Sequence, residues 1–255
     1  MEIGIALSGG GARGIAHLGV VKALTELGYA IEAYSGVSSG AIAAVFLAAG
    51  LTPDELLKLF KGVNMYSLLR PNMLSPGFLD SNALRHIYER HLPVQTFEEL
   101  AMPVIIGTTD ILKGKRVYFR KGNLLSPLLA SSSVPVMFKA VSYQDHLLVD
   151  GGLLNNLPIE PLVGFCSKIL ASHCNPISSK AKLRSTRQYF ERSMQLLISQ
   201  NVQSSIPLCD FLVEPPMLGD FGVTQFSRAE EIFKAGYNFT LAKAPEIAQA
   251  LSDET

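Results

Sequence analysis

Short runs of β-prone apolar residues alternate with stretches in which apolar positions recur every three or four residues, and glycines mark the joins. Glu2–Leu7 predicts a first strand, followed by the turn Ser8-Gly9-Gly10-Gly11-Ala12-Arg13-Gly14. Ile15, Leu18, Val21, Leu24 and Leu27 then share one helical stripe, which Gly28 ends. A second β-prone stretch from Ile31 runs into Gly36-Val37-Ser38-Ser39-Gly40 and continues as the small apolar, helix-favouring run Ala41–Ala49. Two strand–glycine–helix units in succession predict a parallel sheet covered by helices, an α/β protein.

Thr52-Pro53-Asp54-Glu55 is a capping box with proline at the first helical position, so a new helix starts there. The apolar stretch 62–78 is broken by Pro71 and Pro76, and Asp80 or Ser81 opens a helix to about His91. Residues 53–95 are thus expected to form a helical cap beside the sheet. Thr96–Glu99 repeats the capping-box pattern ahead of a buried strand, Pro103–Thr109, and Arg116–Arg120 forms a shorter one. Ser126-Pro127 opens a short helix ending in Ser131-Ser132-Ser133-Val134-Pro135. Ala140–Tyr143 and Leu147–Val149 flank Gln144-Asp145-His146 as a hairpin that leads into Asp150-Gly151-Gly152. Beyond Pro158 the pattern thins to strands at Lys168–Ala171 and Asp210–Val213, a surface helix over Leu183–Gln200, and closing helices at Ala229–Ala235 and Leu241–Leu251. No repeat, low-complexity tract or linker interrupts the chain, so residues 1–255 are expected to form a single domain.

Composition narrows the partners. The chain is 48% hydrophobic and 17% charged, with 22 basic and 22 acidic side chains. A net charge of zero gives no electrostatic case for nucleic acid or a strongly anionic membrane. Cys166, Cys174 and Cys209 are odd in number and lack metal-ligand spacing, which suits a reducing compartment. The start of the sequence has no signal-peptide pattern, and the apolar run Ala41–Leu51 is too short to span a bilayer, so a cytoplasmic location is expected.

The chemistry centres on Ser38. A strand that ends, a sharp turn and an immediate helix describe a nucleophile elbow, in which flanking Gly36 and Gly40 allow close backbone approach and the helix N-terminus faces the serine. The earlier turn admits three readings. Successive N–H groups at Gly10 and Gly11, with Arg13 beside them, can form an oxyanion hole. Gly9-x-Gly11-x-x-Gly14, with Glu32 downstream, also fits a dinucleotide fingerprint and hence an oxidoreductase. The turn can equally be a fold feature only. A serine nucleophile needs a base, and none of His17, His86, His91, His146 and His173 has a distinctive setting, although His146 lies near a suggestive stretch. Asp150 does stand out, ending an apolar strand before two glycines; it is either a turn residue or, in a dry site, a carboxylate able to take the Ser38 proton.

Gly9 to Gly14, Gly36-Val37-Ser38-Ser39-Gly40 and Asp150-Gly151-Gly152 occur in the order of the patatin-like phospholipases, a family this chain resembles over roughly residues 3–163. Ala130–Pro135 and Asn155-Asn156-Leu157-Pro158 are similar to it as well. The resemblance implies a three-layer α/β/α sandwich with a mostly parallel sheet. It also implies a Ser38–Asp150 dyad and an oxyanion hole at Gly10 and Gly11 with Arg13 nearby. The expected activity is hydrolysis of phospholipid, lysophospholipid or other lipid acyl esters, without metal or cofactor and with at most transient contact with a membrane surface. A non-enzymatic lipid-binding regulator is the remaining alternative.

Overall fold

The computed structural model describes residues 1–62, 81–178 and 183–252. The stretch 62–78, expected to carry an apolar loop, lies almost wholly outside the described residues. The strands are β1 (Glu2–Leu7), β2 (Ala30–Gly36), β3 (Val104–Asp110), β4 (Lys115–Phe119), β5 (Val141–Tyr143), β6 (His146–Asp150), β7 (Ile169–Ser172) and β8 (Phe211–Val213). They form one eight-stranded sheet in the order β5-β6-β3-β2-β1-β7-β8, with β4 also paired to β3. The helices are α1 (Ile15–Glu26), α2 (Ser39–Ala48), α3 (Pro53–Gly62), α4 (Ser81–His91), α5 (Leu125–Ser131), α6 (Thr186–Gln203), α7 (Ala229–Ala242) and α8 (Ala244–Ser252).

Side chains alternate across the sheet and so divide the core into two layers. Ile3, Ile5 and Leu7 of β1, Tyr34 of β2, Val104 and Ile106 of β3 and Leu170 of β7 join the larger core beneath α1, α2, α5 and α7. Ala6, Ala33, Ile105, Ile169 and Ala171 face the other way, against Leu157, Ile159, Leu162 and Val202. The second face is therefore covered by α6 and the irregular segment 157–166, a thinner layer than the first. The capping box at Thr52 forms as expected, with Thr52 N–H donating to Glu55 Oε2 at 2.8 Å. The box at Thr96 opens only a single 3₁₀ turn, Phe97–Glu99.

The sheet is mixed: a parallel centre, β3-β2-β1-β7-β8, with an antiparallel arm. β3 has three partners. Ile106 pairs with both Gly36 of β2 and Phe119 of β4, while Thr108, Thr109 and Asp110 each pair with both β4 and β6. A strand has two edges, so β2 and β6 must share the edge opposite β4. They run toward one another along it, since β2 is parallel to β3 and β6 antiparallel. β2 ends opposite Ile106 and β6 ends opposite Thr108, with Gly107 between.

Candidate active site

This head-on arrangement brings Ser38 and Asp150 together. Ser38 follows β2 by two residues and takes φ 54°, ψ −125°, a left-handed backbone uncommon for a residue with a Cβ and the mark of a strained elbow. Its N–H donates to Ser131 Oγ at 2.8 Å, and Ser131 Oγ–H donates to the Gly107 carbonyl at 2.8 Å. One hydroxyl thus pins the elbow to the β3 residue that separates the two strand ends. α2 begins at Ser39, so its positive end faces the nucleophile position.

Asp150 ends β6 and is 6% exposed. Its N–H donates to the Ser133 carbonyl at 2.9 Å, and its Oδ1 accepts the Gly152 N–H at 2.8 Å. Burial pushes its pKa up to about 6, partly offset by the Gly152 N–H and by hydrogen bonding from the Ser38 hydroxyl. That carboxylate is ionised at neutral pH yet within reach of accepting a proton, the state a general base requires.

The glycine turn after β1 crosses the elbow at backbone distance. A Cβ on Gly9 would lie 3.0 Å from Ser38 Cβ, and one on Gly40 would collide with the Leu7 carbonyl. Gly9 N–H is spent on the Asn156 carbonyl at 3.2 Å, and Ala12 N–H on the Val223 carbonyl at 2.8 Å. Gly10 and Gly11 N–H have no acceptor among the described residues, which leaves two adjacent uncommitted donors in the turn whose Gly9 passes Ser38. Gly11 sits at φ 58°, so the turn depends on a residue without a Cβ. Arg13 is buried; its Nε donates to the Phe221 carbonyl at 2.7 Å and its Nη1 has no partner among the described residues. Burial holds its pKa below the ordinary value. It braces the turn against the segment before α7 and adds positive charge there.

His17, His146 and His173 are each committed to partners other than Ser38, while His86 is exposed beside Glu89 on α4 and His91 ends that helix. His146, expected at a solvated hairpin turn, is a strand residue, and its Nδ1 meets Asp110 Oδ2 at 2.7 Å. It lies four residues from Asp150, roughly 13 Å at ~3.3 Å per residue. His173 pairs with Glu214 through Nδ1 at 2.5 Å. His17 is fully buried: Nε2–H donates to the Ser8 carbonyl and Nδ1 accepts from Ser172 Oγ, both at 2.8 Å. The carbonyl can only accept, which fixes the tautomer. Burial lowers the His17 pKa to about 4, so it stays neutral. Glu32 lies four residues before Gly36, at the far end of β2 from the glycine turn and beside Cys166. A ribose bound at that turn is out of its reach.

Several residues without an assigned role complete the site. Asn156 Nδ2 at 3.2 Å, Asn175 Nδ2 and Cys174 Sγ at 3.5 Å all donate to the Gly9 carbonyl. Tyr88 hydroxyl bonds Ser132 Oγ at 2.9 Å and lies within electrostatic range of Asp150. Its ring forms part of an apolar cleft with Ile42, Phe46, Leu56 and Phe60, one helical turn from Ser38.

An elbow serine after a parallel strand, met head-on by a buried carboxylate at the end of an antiparallel one, gives this α/β protein the elements of a nucleophile elbow. Residues 5–163 match the model of the patatin-like phospholipases, and the chain belongs to that family. It is 34% identical over 166 residues to an uncharacterized NTE family protein of Mycobacterium tuberculosis, covering 64% of this chain and 46% of that one. It is 26% identical over 273 residues to lysophospholipase nte1 of Aspergillus fumigatus, covering 93% of this chain and 18% of that one. The chain thus spans less than half the length of these curated relatives. Among solved structures it resembles VipD from Legionella pneumophila, with TM-score 0.66, 17% identity, and coverage of 96% of this chain and 67% of that one. It also resembles ExoU in the ExoU–SpcU complex of Pseudomonas aeruginosa, with TM-score 0.52, 17% identity, and coverage of 98% and 52%. These two likenesses establish the fold.

Proposed function

We propose that this chain is a serine hydrolase that cleaves acyl esters of phospholipids, lysophospholipids or related lipids through an acyl-enzyme on Ser38. The observation that carries the reading is the head-on meeting of β2 and β6 across Gly107, which sets the elbow Ser38 beside the buried carboxylate of Asp150, whose pKa is raised to about 6. Ser38 Oγ attacks the ester carbonyl carbon while its proton passes to Asp150. Gly10 and Gly11 N–H receive the developing oxyanion, aided by the α2 N-terminus and Arg13. Collapse breaks the bond to the alkoxy oxygen, and Asp150 returns the proton to that leaving alcohol. Water then attacks the acyl-enzyme with Asp150 again as base, releasing the fatty acid and restoring Ser38.

The name of the Aspergillus fumigatus relative points to this ester class, and the cleft between α2, α3 and α4, though only about 40 Å³, is lined by apolar side chains as a hydrocarbon group requires. The single continuous sheet supports one hydrolase domain over residues 1–255, with α3 and α4 in the cap. Among the described residues no helix is long and apolar enough to cross a membrane, so lipid would be met by surface contact. Three unpaired cysteines favour a reducing compartment such as the cytoplasm. The test is hydrolysis of p-nitrophenyl butyrate and lysophosphatidylcholine, with Ser38→Ala as control and a fluorophosphonate probe read by mass spectrometry. Turnover and a Ser38 adduct, both lost in Ser38→Ala, are expected. An inert Ser38 in folded protein would favour a non-enzymatic lipid-binding role instead.

A further inference from the structure

We infer that Asn156 and Asn175 are positioning residues that aim the oxyanion-hole N–H of Gly10 by gripping the carbonyl of Gly9; this rests on the hydrolase reading above. The Gly9 carbonyl accepts from both carboxamides and, more weakly, from the Cys174 thiol. A carbonyl oxygen can only accept, so the two NH₂ groups must face it. With two lone pairs it is saturated by these donors. The Gly9–Gly10 peptide is trans and planar, so its N–H points away from its C=O. Holding the carbonyl toward Asn156 and Asn175 therefore holds the Gly10 N–H in the opposite direction, where no described residue accepts it.

The loop cannot supply this restraint itself. Close approach removes the side chains that would restrict it: a Cβ on Gly9 would press on Ser38, and one on Gly10 would overlap Cys174 Sγ. Successive glycines rotate their peptide planes at little cost. A flip of the Gly9–Gly10 peptide would replace a donor at the oxyanion position with a carbonyl dipole that repels it. The grip is anchored. Asn156 and Asn175 are 4% and 8% exposed, and the Asn156 carbonyl also takes the Gly9 N–H at 3.2 Å. Asn201 of α6 accepts the Asn156 N–H at 3.0 Å and donates to the Gly152 carbonyl at 3.0 Å. The anchor of the oxyanion turn and the turn after Asp150 thus share one carboxamide. Asn175 follows β7, beyond the residues 5–163 matched to the family, so the C-terminal third contributes to the site.

The test compares wild type, Asn175→Ala and the isosteric Asn175→Asp at pH 8, where an aspartate offers the Gly9 carbonyl only acceptors. With p-nitrophenyl butyrate, kcat is expected to fall by about 10- to 100-fold, at or below the loss of one oxyanion donor, with KM within about twofold. Affinity for a trifluoromethyl ketone, whose hemiketal oxyanion occupies the same position, should fall by the same factor. Unchanged kcat, or a loss carried by KM, in protein that melts like wild type would overturn the assignment. A crystal structure of Asn175→Asp reads the orientation without an assay: a rotated Gly9–Gly10 peptide supports the grip, and an unrotated one overturns it. If wild type turns over no faster than Ser38→Ala, the hydrolase reading fails, and that crystal structure still decides the role of Asn175.

Discussion

Asp110 and Asp150 end the paired strands β3 and β6, and both are buried, yet the fold drives their carboxyl groups in opposite directions. Asp110 Oδ1 accepts the Leu112 and Lys113 N–H groups at 3.1 and 3.0 Å, while Oδ2 meets His146 at 2.7 Å and Lys113 Nζ at 3.5 Å. His146 first, then the backbone donors, push its pKa down to about 2 against the cost of burial. Among the described residues Asp150 has the Gly152 N–H, with the Ser38 hydroxyl as a weaker influence, and burial wins, with a pKa near 6. Donors and desolvation together decide which carboxylate is a fixed anion and which is a base: Asp110 has charged and backbone donors that outweigh burial, and Asp150 has burial that outweighs its donors.

The largest effect expected from breaking this contrast is at Asp150. Asp150→Asn should cost at least ~10³ in kcat, within the range for a general base. It should also raise stability. The folded-state pKa lies about two units above the ordinary 3.8, so the ionised form carries a penalty of order ~3 kcal/mol. The penalty is present above about pH 6 and fades as pH falls toward 4, because the folded protein takes up the proton first. Asp150→Asn should therefore melt higher than wild type at pH 8, with the gap closing by pH 4; an equal or lower melting temperature at pH 8 would count against a strained, desolvated carboxylate. Next in size is the acid limb of wild type. kcat/KM should fall about tenfold per pH unit below the Asp150 pKa of about 6, as the base is protonated. A flat profile from pH 7 to 4.5 would sink Asp150 as the base.

The smallest catalytic effect belongs to Asp110. Asp110→Asn should leave kcat within about twofold, since its carboxylate is committed to His146 and the β3–β4 turn rather than to Ser38. Its folded pKa is depressed, so its stabilisation is present above the ordinary value of 3.8 and is lost as pH falls toward about 2. The variant should melt below wild type at pH 7, with the deficit shrinking in acid. A large kcat loss in folded Asp110→Asn would join the two carboxylates in one function.

Elements with local causes were readable from residues alone. The glycine turn, the elbow and the capping box at Thr52 each follow from neighbours a few positions apart, and the structure has them at the expected places. Asp150 was legible as a carboxylate at a strand end before two glycines. What was not legible depends on contacts far apart in the chain. The bond from Ser38 N–H to Ser131 crosses 93 positions, and that from Asn175 to the Gly9 carbonyl crosses 166. The hairpin signal marks β5 and β6 as an antiparallel pair, as found, but says nothing of the pairing of β6 to β3, so the join of that hairpin to the sheet emerges only in the fold. His17, whose sequence setting is not distinctive, is wholly enclosed because Ser172 at the end of β7 and Ser8 just beyond the parallel β1 converge on it.

β3 acts as a ruler for the reaction. The gap between nucleophile and base is set by three consecutive residues, Ile106, Gly107 and Thr108, and not by the long chain that joins Ser38 to Asp150. Excursions within that chain, at the cap or at the hairpin tips, can lengthen or shorten without altering the spacing of the pair. A single residue inserted at Gly107 would move the two strand ends apart by ~3.3 Å, beyond the reach of one proton transfer.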